Sequence, residues 1–352
     1  MKKYLFTLAI IFSSISYANG GKISAEIQDL NGKAGEFVYD KPGTGRKISR
    51  LDWEIKNIPM LKLGYQYEYN NWEFSIEGRK NIKNKIKSGK MKDYDWIPGK
   101  LDDDDAKELF EIATYENRAA AEADKKENEK IKDNGNGTYS LFYAPTEKDA
   151  GTLFSYTESS NYVKDIWSLN LSAKYYLIKD EKIKFAPFFG LNYHRYEFYS
   201  VGAKGYEYIP SRGRKSQEFA NVKSITYEQM FLNPYIGLYT SYSPSFSWEI
   251  QLGLKGTAWG RARAIDRHLL RREMKTDEKY KNIKYLSSTL AIKYYWSESL
   301  TLKYELEFTK HFRNTKSTVN RTNEDGTKET EKGSAGLSNR TMASSLGFEY
   351  KL

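Results

Sequence analysis

The stretch IWSLNLSAKYYLI, residues 166–178, alternates in character from one residue to the next through most of its length. Trp167, Leu169, Leu171, Ala173, Tyr175 and Leu177 fall on one face, with Ser168, Asn170, Ser172 and Lys174 on the other. Successive side chains of an extended chain point to opposite sides, so this is a strand with one apolar and one polar face. The pattern recurs. WEFSIEGR sets Trp72, Phe74 and Ile76 against Glu73, Ser75, Glu77 and Arg79. LTLKYELEF sets Leu300, Leu302, Tyr304, Leu306 and Phe308 against Thr301, Lys303, Glu305 and Glu307, and the C-terminal MASSLGFEYKL repeats the alternation. A soluble sandwich also alternates, but it does not place charges regularly along its buried face. A membrane β-barrel does, because one face meets lipid and the other a polar lumen.

Composition agrees with that reading. The chain has 29 Tyr, 17 Phe and 7 Trp yet a mean hydropathy of −0.74, a pairing expected of a barrel wall with aromatic girdles. MKKYLFTLAIIFSSISYANG opens with two lysines, an apolar run and the small-x-small Ser16-Tyr17-Ala18, so residues 1–18 read as a secretory signal peptide. Without Lys2 and Lys3 the formal charge of +10 becomes +8. For an exported chain that balance points to an anionic lipid surface rather than to nucleic acid. There is no cysteine, which excludes disulfides and thiolate chemistry.

Short turns are expected at Asn70-Asn71, Lys179–Glu181, Ser243–Ser245 and Ser297-Glu298. Longer connections are expected at Asp40–Gly45, Lys92–Thr152, Gly202–Val222, His268–Lys279 and Phe312–Ser338. Four short and five long connections, alternating, predict an all-β, ten-stranded antiparallel transmembrane β-barrel over residues 19–352, with long extracellular loops. Such a barrel is too narrow for a porin's channel. Residues 97–150 form an outsized second loop, and its Ala-, Glu- and Lys-rich part, Ala106–Lys132, predicts a surface helix. Asp102–Asp105 lacks the spaced ligands of a calcium loop.

Two short motifs fall at the extracellular rim. GKMKDYDWIPGK carries Asp93 and Asp95, and AIDRHLL carries Asp266 and His268. Each pair is spaced i, i+2, so both members leave an extended chain on one face. Two carboxylates facing a carboxylate and an imidazole can hold and activate a water, with His268 as general base and Asp266 orienting it. Counting alternately from Trp248, however, puts Asp266 and His268 on the lipid side. The site therefore requires a one-residue bulge in the seventh strand near Gly256 or Gly260, or an end of regular pairing before Asp266.

Several ordered segments resemble the omptins, outer-membrane endopeptidases of Gram-negative bacteria: GRKISRLDWEIKN at 45–57, SGKMKDYDW at 88–96, NPYIGL at 233–238, and Trp259 through Asp266-x-His268. The resemblance covers nearly the whole mature chain, with the second loop as an insertion. It implies an aspartyl-type endopeptidase of the outer membrane, with Asp93, Asp95, Asp266 and His268 as catalytic residues. It also implies cationic peptide or protein substrates cut at basic residues. The pocket for the residue before the cut would be lined by Glu36, Ser49, Met91 and Ile225; the family's further aspartate is replaced by Ala264. Lipopolysaccharide would be required for activity and held in part by Arg195, while Met230 stands where the family has a second arginine. No metal or other cofactor is implied. His194 and His311 read as structural. The rival reading is a non-enzymatic barrel serving as an adhesin or binding surface.

Overall fold

The computed structural model describes residues 21–40, 45–270, 274–323 and 326–352, so the signal segment 1–18 lies outside the described residues. Ten long strands make up the wall: β1 Gly21–Tyr39, β2 Lys47–Tyr69, β3 Trp72–Asn81 continued by Ile86–Trp96, β4 Leu153–Tyr175 and β5 Ile183–Ile209. They continue with β6 Gly213–Ser245, β7 Trp248–His268, β8 Met274–Tyr295, β9 Leu300–Asn314 and β10 Ala335–Lys351. Every neighbour is antiparallel, and the β1–β10 and β7–β8 pairings close the ring. Within the described wall, closure pairs every strand on both sides, the condition for crossing a bilayer with strands. The first and last described residues lie on the short-turn side, where the Leu352 N–H donates to the Gly21 carbonyl.

The apolar faces read from the sequence form the outer belt. Ile27, Phe74, Leu171, Phe189, Leu238, Leu254 and Leu346 are all exposed on the outer wall. Trp72 against Tyr175 (ring centroids 5.0 Å) and Trp248 against Tyr294 (4.8 Å) mark its lower border; Trp167 against Tyr193 (4.8 Å) marks the upper one. Above the belt the strands continue as free-standing hairpins. β5 and β6 pair as far as Ile209 and Gly213, through most of the segment expected to be a connection. β8 begins at Met274, inside the expected fourth loop, and the fifth contains a hairpin, Ser317–Thr322 with Lys328–Lys332. Strands outrun their lipid-facing pattern because, once clear of the membrane, both faces are polar and the alternation that marks a strand fades.

The expected helix over Ala106–Lys132 is not formed as one piece. Helix α1 spans Asp103–Phe110, capped by Asp102, and helix α2 spans Arg118–Asp124, capped by Asn117. Between and after them Glu111–Tyr115, Tyr139–Tyr143 and Glu129–Asp133 form a three-stranded antiparallel sheet. Phe110 packs with Ile97 and Tyr143 in a small separate core that also takes in Ile112, Phe154 and Ile209. That packing overrides the helix propensity of the surrounding Ala, Glu and Lys.

The lumen is filled in layers. Low in the barrel, Lys62 and Lys303 interleave with Glu26 and Glu305, and Arg79 pairs with Glu307 at 2.6 Å. Above them lie Asn192, Asn233, His194 and His311, joined through Asn233 Nδ2 to Asn192 Oδ1 (2.8 Å) and to His311 Nε2 (3.0 Å). This matches the structural reading of both histidines. Higher still, Trp53 reaches across from β2 and stacks on Phe198 and Tyr227, each at 5.7 Å between ring centroids. With Phe231, Met91 and Ile225 these rings form a buried apolar floor.

Candidate active site

Directly above that floor the wall is set by register. Asp93 lies opposite Leu51, and Leu51 opposite Glu36; one row higher, Asp95 lies opposite Ser49. Met91 lies one row lower, opposite Trp53. On the other wall His268 pairs with Ile225 and Asp266 with Tyr227. All eight residues named from the sequence for catalysis and for the pocket thus reach one end of one lumen, from β1, β2, β3, β6 and β7.

The parity problem in β7 is resolved by a bulge. The three-residue step from Thr257 to Gly260 is matched by a step of only two on β8, from Tyr285 to Ile283. Ala258 and Trp259 both face outward, and the inward series Glu249, Gln251, Gly253, Lys255 resumes as Gly260, Ala262, Ala264, Asp266 and His268. Gly260 is needed at the resumption: a β-carbon there would lie 2.6 Å from Asn233 Oδ1 and 2.9 Å from a backbone carbonyl. One inserted residue therefore turns the Asp-His pair from lipid to lumen.

His268 Nε2 lies 2.7 Å from Asp266 Oδ2; Asp266 is buried and His268 partly open to the mouth. The other ring nitrogen, Nδ1, is then the one available to a water. Asp266 Oδ1 and Glu36 Oε2 are buried and close no hydrogen bond.

Glu36 and Glu278 lie well above the outer belt, which on their strands is marked by Ile27 and Leu286, so both sit outside the membrane-spanning part. Burial against the apolar floor pushes the Glu36 carboxyl well above the usual carboxylate range, and the charges of Asp266, Glu278 and Asp93 add to the rise. Asp93 from β3 and Asp266 from β7 both bear on Glu36, so acids of the two walls face one space. Glu278 is raised by burial and by Asp266, against the hydrogen bond it accepts from the Tyr280 hydroxyl. Sequence reasoning missed Glu278, because it falls in a stretch read as loop.

Ten strands, a filled lumen and this rim constellation invite comparison with known barrels. The model of the omptin family matches residues 19–129 and 144–352. The chain belongs to the omptin family. Among curated omptins it is 25% identical over 332 residues to the plasminogen activator of Yersinia pestis, covering 94% of this chain and 88% of that one. It is 24% identical over 341 residues to the outer membrane protease OmpP of Escherichia coli strain K12, covering 94% and 90%. The crystal structure of the Escherichia coli outer membrane protease OmpT superposes with a TM-score of 0.75 at 19% identity, covering 94% of this chain and 96% of that one. The chain is thus an outer-membrane barrel of a protease family. The unmatched residues 130–143 lie within the second-loop insertion.

Arg195 stands on the outer wall beside the upper girdle. Its guanidinium contacts Asp165 (3.5 Å), Glu197 (3.3 Å) and Glu228 (2.5 Å). Three carboxylates already meet its charge.

Proposed function

We propose that this omptin is an endopeptidase that cleaves cationic peptides or proteins at the cell surface, with a water as nucleophile. The observation that carries this reading is the 2.7 Å Asp266–His268 contact, turned into the lumen by the β7 bulge and facing Asp93 and Asp95 across the mouth. A water lodged between the walls gives a proton to His268 Nδ1 as its oxygen bonds to the scissile carbonyl carbon. Asp266 holds the ring and balances the imidazolium. His268 then returns the proton to the leaving nitrogen as the C–N bond breaks. Asp93 and Asp95 position the water from the opposite wall.

Substrate choice follows from charge. The buried carboxylates beneath the dyad favour an arginine or lysine side chain before the cut, with Met91, Ile225 and Ser49 around its stem. Lipopolysaccharide is proposed as the required lipid partner on the strength of family membership. Arg195 alone is a weak receptor for it, since its own acids must first give way. The test is cleavage of a quenched peptide library by the refolded barrel, with and without lipopolysaccharide, beside His268→Ala. Cutting at basic residues that needs His268 supports the reading. No cutting by the intact barrel in lipopolysaccharide overturns it and favours a binding barrel.

A further inference from the structure

We propose that Glu278 supplies the second carboxylate of the pocket for the basic side chain before the scissile bond, from β8, in place of the family's aspartate at position 264. The inference rests on the endopeptidase reading above and adds a specificity residue that the family pattern does not contain. Ala264 points into the lumen and is fully buried within the cluster that holds Tyr227 and Tyr280, and it brings no carboxylate of its own. Its cross-strand partner is Glu278. Directly opposed residues on one face have β-carbons about 4.5–5.5 Å apart, and a glutamate is longer than an aspartate by one methylene. A carboxylate rooted on β8 can therefore lean across the alanine.

Three observations place that carboxylate in the pocket. Glu278 is only 2% exposed. Its charge acts on Glu36, as do those of Asp266 and Asp93, so the four acids share one space. Tyr280, on the same strand and face, donates its hydroxyl to Glu278 Oε2. The cation acting on Glu278, Arg321 of the outer hairpin, closes no ion pair with it among the described residues.

Two acceptor atoms of the pocket still lack a donor. Glu36 Oε2 and Asp266 Oδ1 are unpaired acceptors on side chains about nine-tenths buried or more, aimed into the same cluster. Buried acceptors without donors are costly, and a guanidinium carries five N–H donors in a rigid fork and one positive charge. An arginine side chain entering past His268 would meet Glu36 on one side and Glu278 on the other. The chain thereby recovers by relocation what Ala264 removes, and a strict preference for basic residues is expected.

The test compares the wild-type barrel with Glu278→Gln, with Ala264→Asp, and with the two combined. Matched peptides carry arginine or its neutral isostere citrulline before the cut. In Glu278→Gln the arginine-to-citrulline ratio of kcat/KM should fall by about tenfold to a hundredfold, as expected for losing one charge-assisted partner. Ala264→Asp in the Glu278→Gln background should restore most of it. An unchanged ratio, or an equal loss on both peptides, would overturn the proposal, the second outcome marking a purely structural role. If the wild type cleaves nothing, the endopeptidase reading fails on its own. Binding of acetyl-arginine amide, measured by titration calorimetry, still tests the pocket: it should bind the wild type and weaken in Glu278→Gln by about tenfold or more. Equal affinity, or none in the wild type, overturns it.

Discussion

The lower and upper halves of the lumen are both crowded with charge, but they handle it in opposite ways. Below, each buried carboxylate has a cation: Lys62 lies 2.8 Å from Glu305 and 3.2 Å from Glu26, Lys303 lies 3.1 Å from Glu26, and Arg79 lies 2.6 Å from Glu307. Above the Trp53 floor, Glu36, Asp266 and Glu278 crowd together with only His268 in ion-pairing contact among the described residues. The lower lattice ties strands together across the lumen. On the proposed reading, the upper cluster weakens the empty barrel and stores affinity for something positive. A functional site that costs stability is a common trade, and it would make the two halves separable by mutation.

The sharpest break in that comparison is at the dyad. Asp266→Asn or His268→Ala should lower kcat by about a hundredfold to ten-thousandfold, the usual contribution of a positioned base. Asp266→Asn should also raise the unfolding temperature, because it removes a charge that bears on both Glu36 and Glu278. Activity and thermal unfolding in the same micelle check both halves of that statement. Lys62→Met should do the reverse. Taking one of two cations from Glu26 and Glu305 leaves Lys303 to compensate both, at a cost of up to about 3–5 kcal/mol. Cleavage by the fraction that stays folded should be unaffected. A Lys62→Met barrel that is as stable as wild type would show that the lower lattice is not the tie described here.

The sequence carried the wall of this barrel but not all of its mouth, and the reason is the solvent outside. Where lipid touches the strand, as at Leu169 and Leu171, apolar residues must alternate and the period is legible. Above the belt nothing enforces that contrast, so Gly202–Val222 reads as loop although β5 and β6 pair through most of it. The dyad was legible as a motif, and counting residues located its missing bulge to within a few positions of Ala258-Trp259. Glu278 was not legible. Its meaning comes from standing opposite Ala264, and cross-strand register is a tertiary fact. The helix expected over Ala106–Lys132 failed for a related reason: EIATY at 111–115 is β-branched and aromatic enough to pair with Tyr139–Tyr143 once a partner strand is present.

A gentler probe of the upper half is pH. Glu36 and Glu278 have raised carboxyl pKa values when folded, Glu278 up to about 8, against an ordinary value of 4.5. Between those limits the folded barrel holds protons that the unfolded chain has released. Their contribution to stability is therefore fully present below the unfolded value and is lost as pH rises through the folded one. The ligand-free barrel should unfold at a progressively lower temperature from about pH 5 to about pH 8, with a shallower slope in Glu278→Gln. Over the same window KM for an arginine peptide should fall, because the pocket gains the charge that attracts it. A KM that rises with pH, or a slope unaltered by the substitution, would break the assignment of these acids to the pocket.

The smallest effect on the barrel is expected farthest from its lumen, at the clamp holding the insertion. Arg212, in the β5–β6 turn, donates from Nε and Nη2 to the two carboxylate oxygens of Glu129, both at 2.7 Å. It also reaches Asp124 Oδ1 at 3.1 Å, while Ser211 donates to Glu129 at 2.6 Å. This fork fixes the end of α2 and the start of its neighbouring strand to a hairpin tip outside the membrane. The clamp ties the insertion to a hairpin tip and holds no part of the barrel wall, so Arg212→Ala should leave the barrel's unfolding temperature unchanged. The apolar contacts around Phe110 still hold the base of the insertion, so its loss should be local. Limited proteolysis should then nick the 117–138 stretch faster than in wild type, with the barrel fragment intact. Equal nicking rates would mean that the Phe110 cluster alone holds the insertion.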